Sequence, residues 1–168
     1  MIAAVSGKVF RFSPGRLAVD TGSGVILQLA VPVSSFQHLS LGQEVLLFTV
    51  LKVKDEDILL YGFLAEEEKA FFEKLLAVSG IGGKTAMACV AAVAPAEWRT
   101  VIAAGDVARI SAIPGIGKKT AQRIILELTG KLEAEPAEAV AATRLGSDLV
   151  SGLVNLGYAP RSAREIVA

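Results

Sequence analysis

Val78-Ser79-Gly80-Ile81-Gly82-Gly83-Lys84-Thr85-Ala86 recurs 35 residues later as Ile113-Pro114-Gly115-Ile116-Gly117-Lys118-Lys119-Thr120-Ala121. The same offset brings Leu75 onto Ile110 and Ala77 onto Ala112. A fixed internal period marks a repeated supersecondary unit. Each copy reads as a glycine hairpin with an apolar residue at its centre, leading into a helix. Two residues without Cβ let the backbone turn sharply and be approached closely. Ile81 and Ile116 are predicted to anchor the turns by packing between the flanking helices. Lys84-Thr85-Ala86 and Lys119-Thr120-Ala121 then begin helices, whose first N–H groups lack internal partners. Such N–H groups and the helix dipole favour an anion, commonly a phosphate.

The candidate anion-binding residues are therefore Gly80, Ile81, Gly82, Gly83, Lys84 and Thr85 in the first copy. Gly115, Ile116, Gly117, Lys118, Lys119, Thr120 and Arg123 are their counterparts in the second. Two such sites in pseudo-symmetric copies suit the two strands of one duplex, held through the backbone without reading bases. The plainer alternative is that Gly-Ile-Gly merely joins two helices tightly. Repetition of Lys-Thr-Ala after both turns favours phosphate.

Other glycine motifs do not fit. A P-loop ending at Gly83-Lys84-Thr85 needs glycine at position 78, where Val78 stands, and Gly117-Lys118 is followed by Lys119 rather than Ser or Thr. A dinucleotide fingerprint needs glycine where Thr85 and Thr120 stand. No nucleotide hydrolysis by the chain itself is expected.

The 168 residues are 52% hydrophobic, enough for small cores with some excess for subunit contacts. Lys plus Arg equals Asp plus Glu at 17 each, which argues against a general polyanion binder. The charge is unevenly distributed, however. Between Gly80 and Lys131 stand Lys84, Arg99, Arg109, Lys118, Lys119, Arg123 and Lys131 against only Glu97, Asp106 and Glu127. Cys89 is the single cysteine, in an apolar helical run, and reads as a core residue. His38 is the single histidine, so no metal site is expected, nor any cofactor. No signal peptide is legible at the start. Residues Thr21 to Gln43 carry no charge, but Gly, Pro, Ser, Gln and His interrupt them too often for a membrane span. A cytoplasmic protein without membrane contact is expected.

The fold class expected is α+β in several domains. Residues 1–63 read as about five short strands with one longer connection from Pro32 to Gly42, suiting an OB-fold barrel. Asp20-Thr21-Gly22-Ser23-Gly24 turns one hairpin, and Lys54-Asp55-Glu56-Asp57 turns another. Residues 64–131 read as helices: Glu66-Glu67-Glu68 load a first turn, and Phe71, Phe72, Leu75 and Leu76 share a face. Pro95 and Asp106 mark two further helix starts. Residues 132–146, rich in Ala and Glu, read as a flexible linker, with an alanine-rich helix as the alternative. Residues 147–168 read as two short helices around a glycine turn. They bury too little to stand alone, so they dock on something or lack a continuation.

These features resemble the RuvA family of bacterial Holliday-junction-binding proteins over essentially the whole chain. The resemblance rests on Leu59-Leu60-Tyr61-Gly62-Phe63, on Ser79-Gly80-Ile81-Gly82, and on Ile113 to Ala121, which matches Leu-Pro-Gly-Ile-Gly-Lys-Lys-Thr-Ala. The order of barrel, paired hairpins, linker and Leu156-Gly157-Tyr158 pair also matches. It implies a non-catalytic subunit acting in recombination, repair and the SOS response. As a homotetramer, or an octamer around DNA, it would hold a four-way junction open and nearly planar. The implied protein partners are the RuvB motor, which would load on the third domain, and the RuvC resolvase. Leu149, Leu153, Leu156, Tyr158 and Ile166 would face RuvB. Asp55 and Glu56 would form an acidic pin at the tetramer centre. Ionised at neutral pH, they would repel crossing phosphates while basic hairpins hold the arms.

Two departures stand out. Gly83 occupies a position that is often Pro in the family, which is expected to loosen the first turn. The family's third domain is a three-helix bundle, whereas this sequence reaches Ala168 within or just after a second helix, so RuvB contact is expected to be incomplete.

Two rival readings remain. A base-excision glycosylase would need an Asp soon after the hairpin, but the next one beyond Gly117 is Asp148. A general duplex or single-strand binder would use Phe10, Phe12, Phe48, Tyr61 or Phe63 as stacking platforms, although aromatics in so small a barrel are usually core.

Overall fold

The structure, a computed structural model, describes residues 2–54 and 57–132, without the side chains of Lys54 and 130–132. Five strands come first: β1 (Ala4–Ser13), β2 (Arg16–Asp20), β3 (Ile26–Ala30), β4 (Glu44–Lys54) and β5 (Asp57–Phe63). They close into a barrel in the order β1-β2-β3-β5-β4. All neighbours are antiparallel except β3 and β5, which touch in parallel at Ala30 and Tyr61. A 3₁₀ segment, Val33–His38, fills the predicted long connection.

Alternation builds the barrel core. Val5 and Val9 point inward from β1, while Ser6, Lys8 and Phe10 face out. Val9 pairs with Val19 but Arg11 pairs with Ala18, so Phe10 is the extra residue of a bulge. A bulge sharpens local twist and helps this ten-residue strand curve round to both neighbours. Leu17, Val19, Leu29, Val31, Val45 and Leu47 complete the interior.

Helices follow: α1 (Glu66–Leu76), α2 (Gly83–Ala92), α3 (Pro95–Ala103), α4 (Val107–Ser111) and α5 (Lys118–Leu132). The two expected start signals act as read: Pro95 opens α3, and the Asp106 carboxylate accepts the Arg109 N–H at 2.9 Å. Of the expected α1 face, Phe71, Phe72 and Leu75 are buried, and Leu76 is half-buried.

An aromatic seam joins barrel to helices. Phe72 lies 4.8 Å from Tyr61 and 4.9 Å from Phe63, both on β5. Behind it Phe71 stacks 5.0 Å from Trp98, whose indole N–H donates to the Val93 carbonyl. Residues Met1–Thr129 thereby form one compact unit. Among the described residues no single helix is long and apolar enough to cross a membrane.

Cys89 is fully buried on α2, and burial pushes its thiol from an ordinary 9.0 up to about 12. Its preference for the folded state is fully present below pH 9 and is lost as the pH rises through about 12. In native buffer Cys89 is expected to resist a thiol reagent, and in denaturant to react completely. Labelling of the native protein as fast as a free thiol would contradict this burial.

Candidate nucleic-acid interface

The repeat in sequence is a repeat in geometry. Val78 and Ile113 donate their N–H groups to Leu75 and Ile110 at 3.0 and 3.2 Å. Ile81 and Ile116 donate to Val78 and Ile113, both at 3.1 Å. Ala86 and Ala121 donate to Gly82 and Gly117, both at 2.9 Å. Ile81 and Ile116 are buried, as anchoring requires.

The two glycines of each hairpin do different work. Gly80 and Gly115 have φ of 88° and 86°, a region that L side chains rarely adopt. Gly82 has an ordinary φ of −96°, and a Cβ added there, or at Gly117, would meet nothing within 4 Å. The fold therefore requires the first glycine of each pair but not the second. What the second achieves is a stretch of bare backbone facing open space.

Beside that bare backbone lie the helix starts. α2 and α5 begin at Gly83 and Lys118, one residue earlier than the sequence suggests. α2 has no side-chain cap, and Gly117, ahead of α5, has no side chain with which to cap. The first-turn N–H groups of Gly83, Lys84 and Thr85, and of Lys118, Lys119 and Thr120, therefore lack the usual internal partners. Lys84, Lys118 and Lys119 are exposed, with no ion pair among the described residues. Thr85 and Thr120 are half-buried beside them.

Some basic residues of this region already have partners within the fold. Arg109 is held by Glu97 at 2.6 Å, tying α4 to α3. Arg123 reaches back from α5 to the first hairpin, where Nη1 donates to the Ser79 carbonyl at 3.2 Å and its hydroxyl at 3.3 Å. Glu127 stands 3.9 Å from its Nε. Arg123 therefore clips the two hairpins together. Thr85 completes the arrangement, with its hydroxyl 3.8 Å from where a Cβ on Gly115 would sit.

Gly83 has a reason that sequence reading missed. A Cβ at this position would overlap the Tyr61 hydroxyl and lie 2.7 Å from Cζ. The glycine admits a barrel tyrosine against the first turn of α2. Burial raises the phenol above its ordinary pKa, with Arg16 acting the other way. A Tyr-Gly pair 22 residues apart carries no local signal.

Of the five rings named for stacking, Tyr61 and Phe63 are buried, Phe12 and Phe48 are half-buried, and Phe10 is exposed. Among the described residues no three His, Cys, Asp or Glu side chains gather to hold a metal. Asp55, Glu56, Asp148, residues 133–146, and Leu149, Leu153, Leu156, Tyr158 and Ile166 lie outside the described residues.

A closed barrel of OB strand order followed by a tandem of helix–hairpin–helix units defines a class of DNA-binding protein. Sequence comparison narrows the class. Residues 1–62 match the RuvA N terminal domain model, and residues 72–129 match the SAM-like helix-hairpin-helix tandem model. A Holliday junction branch migration complex subunit RuvA from Leptothrix cholodnii is 41% identical over 99% of this chain and 88% of its own length. Its namesake from Burkholderia thailandensis is 38% identical over 97% of the chain and 86% of that relative. That of Solibacter usitatus is 41% identical over 99% and 88%. The chain belongs to the RuvA family.

Proposed function

We propose that this chain grips DNA by its phosphates at the two hairpins, as the Holliday-junction-binding subunit of a branch migration complex. The observation that carries this reading is the pair Gly82 and Gly117, bare backbone that the fold does not need, set beside uncapped helix starts. The N–H groups at Gly83 to Thr85 and Lys118 to Thr120 would receive a phosphate each, with Lys84, Lys118 and Lys119 adding charge. Ile81 and Ile116 hold the turns rigid. Arg123 fixes one hairpin against the other, so the two sites keep a constant spacing.

One hairpin pair suits one duplex arm, so four arms call for four copies. In that homotetramer Asp55 and Glu56 repel the crossing strands at the centre. The working division is residues 1–63 for barrel and pin, 64–131 for DNA, 132–146 as linker, and 147–168 for RuvB. The chain holds DNA, and the motor supplies ATP hydrolysis. RuvC is the further partner in this reading, and the cytoplasm the setting.

A gel-shift competition between a synthetic four-way junction and linear duplex of the same arm sequences tests it. Preference for the junction whatever its sequence supports the reading. Equal affinity for both reduces the chain to a general duplex binder.

Gly82→Ala is expected to change stability by no more than about 1 kcal/mol, the scale of a cap substitution. Junction affinity is expected to fall roughly tenfold, because the methyl occupies the line of approach and displaces a charge-assisted hydrogen bond. Gly80→Ala, by contrast, destabilises the fold by about 1–2 kcal/mol through left-handed strain. Unaltered DNA binding by Gly82→Ala would remove the main support for phosphate contact.

A further inference from the structure

We propose that Tyr61 is itself a phosphate ligand, its phenol donating a hydrogen bond to the phosphate received by the first hairpin. The inference rests on the hairpin reading above and adds to it a residue from the barrel.

Tyr61 is only 8% exposed, yet its hydroxyl has no hydrogen-bond partner among the described residues. A phenol buried to that degree ordinarily finds one. The hydroxyl is not sealed in either: among the described residues, only Ser35 Oγ is both wholly enclosed and unpartnered. The ring is held by Phe72, and the hydroxyl end lies against Gly83 in the first turn of α2. That helix has ten residues, no side-chain cap, and a glycine at its first position. Any side chain at Gly83 would displace the phenol from this place.

An unsatisfied donor therefore stands beside a row of unsatisfied N–H donors, next to the exposed Lys84. All of these groups donate, and no carboxylate is paired with any of them among the described residues. A ligand able to satisfy them must offer several acceptor oxygens and negative charge. A DNA phosphate has both. The phenol, whose ordinary pKa of 10.0 burial only raises, is protonated and so a donor at neutral pH. The second hairpin has Lys118 where the first has Gly83, so the two phosphate sites of one chain are not equivalent.

The test is Tyr61→Phe in the full chain, with Lys119→Glu alongside, measured by junction binding across a salt series and by thermal unfolding. Tyr61→Phe is expected to weaken junction binding about tenfold to a hundredfold, as for loss of one hydrogen bond to a charged group. The salt slope stays unchanged because no charge is removed. The unfolding temperature does not fall, because the hydroxyl has no partner in the free protein. Full affinity in Tyr61→Phe, with affinity lost in Lys119→Glu, overturns the role of Tyr61 and leaves the hairpin reading standing. Weaker binding together with a lowered unfolding temperature makes Tyr61 structural and also overturns the proposal. Absence of DNA binding by the unaltered chain removes both readings.

Discussion

Lys119→Glu is expected to weaken binding to junction and linear duplex together, by roughly tenfold to a hundredfold at moderate salt. Lys119 stands in the first turn of α5, exposed and without an ion pair among the described residues, beside N–H groups that lack internal partners. Reversal places a carboxylate where a phosphate is to sit, so attraction is replaced by repulsion at short range. The carboxylate also sits favourably at a helix N-terminus, so the free protein is not destabilised. Each phosphate contact releases counterions, and losing one lowers the slope of log K against log salt by about one. Junction and duplex are expected to be affected alike because the proposed contact is to the backbone. An unchanged slope would place the DNA elsewhere. Loss confined to the junction would assign Lys119 to the crossover rather than to an arm.

Phe72→Ala is expected to destabilise the protein by about 3–5 kcal/mol, a large part of the roughly 5–15 kcal/mol typical of a folded domain. Phe72 is fully buried at the seam, in ring contact with Tyr61 and Phe63 of the barrel. Truncation leaves a ring-sized cavity between two walls of secondary structure, neither of which can close it without disturbing its own core. Equilibrium denaturation with far-ultraviolet dichroism and Trp98 fluorescence reads the result. Both probes should shift to lower denaturant together. A loss under 1 kcal/mol, or a fluorescence shift without a dichroism shift, would mean that the barrel and helices are stabilised separately. DNA binding should weaken as well, because Tyr61 is held against α2 by the same ring.

Local signals carried much of this molecule. Strand alternation, the Asp20–Gly24 turn, Pro95 and Asp106 act over a few residues, so their readings match the observed elements. The hairpins were legible because a backbone with positive φ at Gly80 and Gly115 restricts the residue type, and duplication wrote that restriction twice. Barrel closure was expected from strand number and one long connection, whereas the bulge at Phe10 was not.

Charge was less legible than shape. Arg109 and Arg123 count equally with Lys84 and Lys119 in a composition. In the fold, Arg109 is paired with Glu97, and Arg123 bonds Ser79 44 residues away. Gly83 shows the limit most clearly. Read from the sequence as a departure that loosens a turn, it also leaves the space that a tyrosine from another layer occupies. The sequence by itself determined which segments become strands, helices and hairpins, because those choices depend on dihedral preference and short-range periodicity. Only the tertiary structure decided which basic groups stay unpaired, which glycines the fold itself requires, and that Tyr61 meets α2. Those outcomes depend on distances between residues that the chain order keeps far apart.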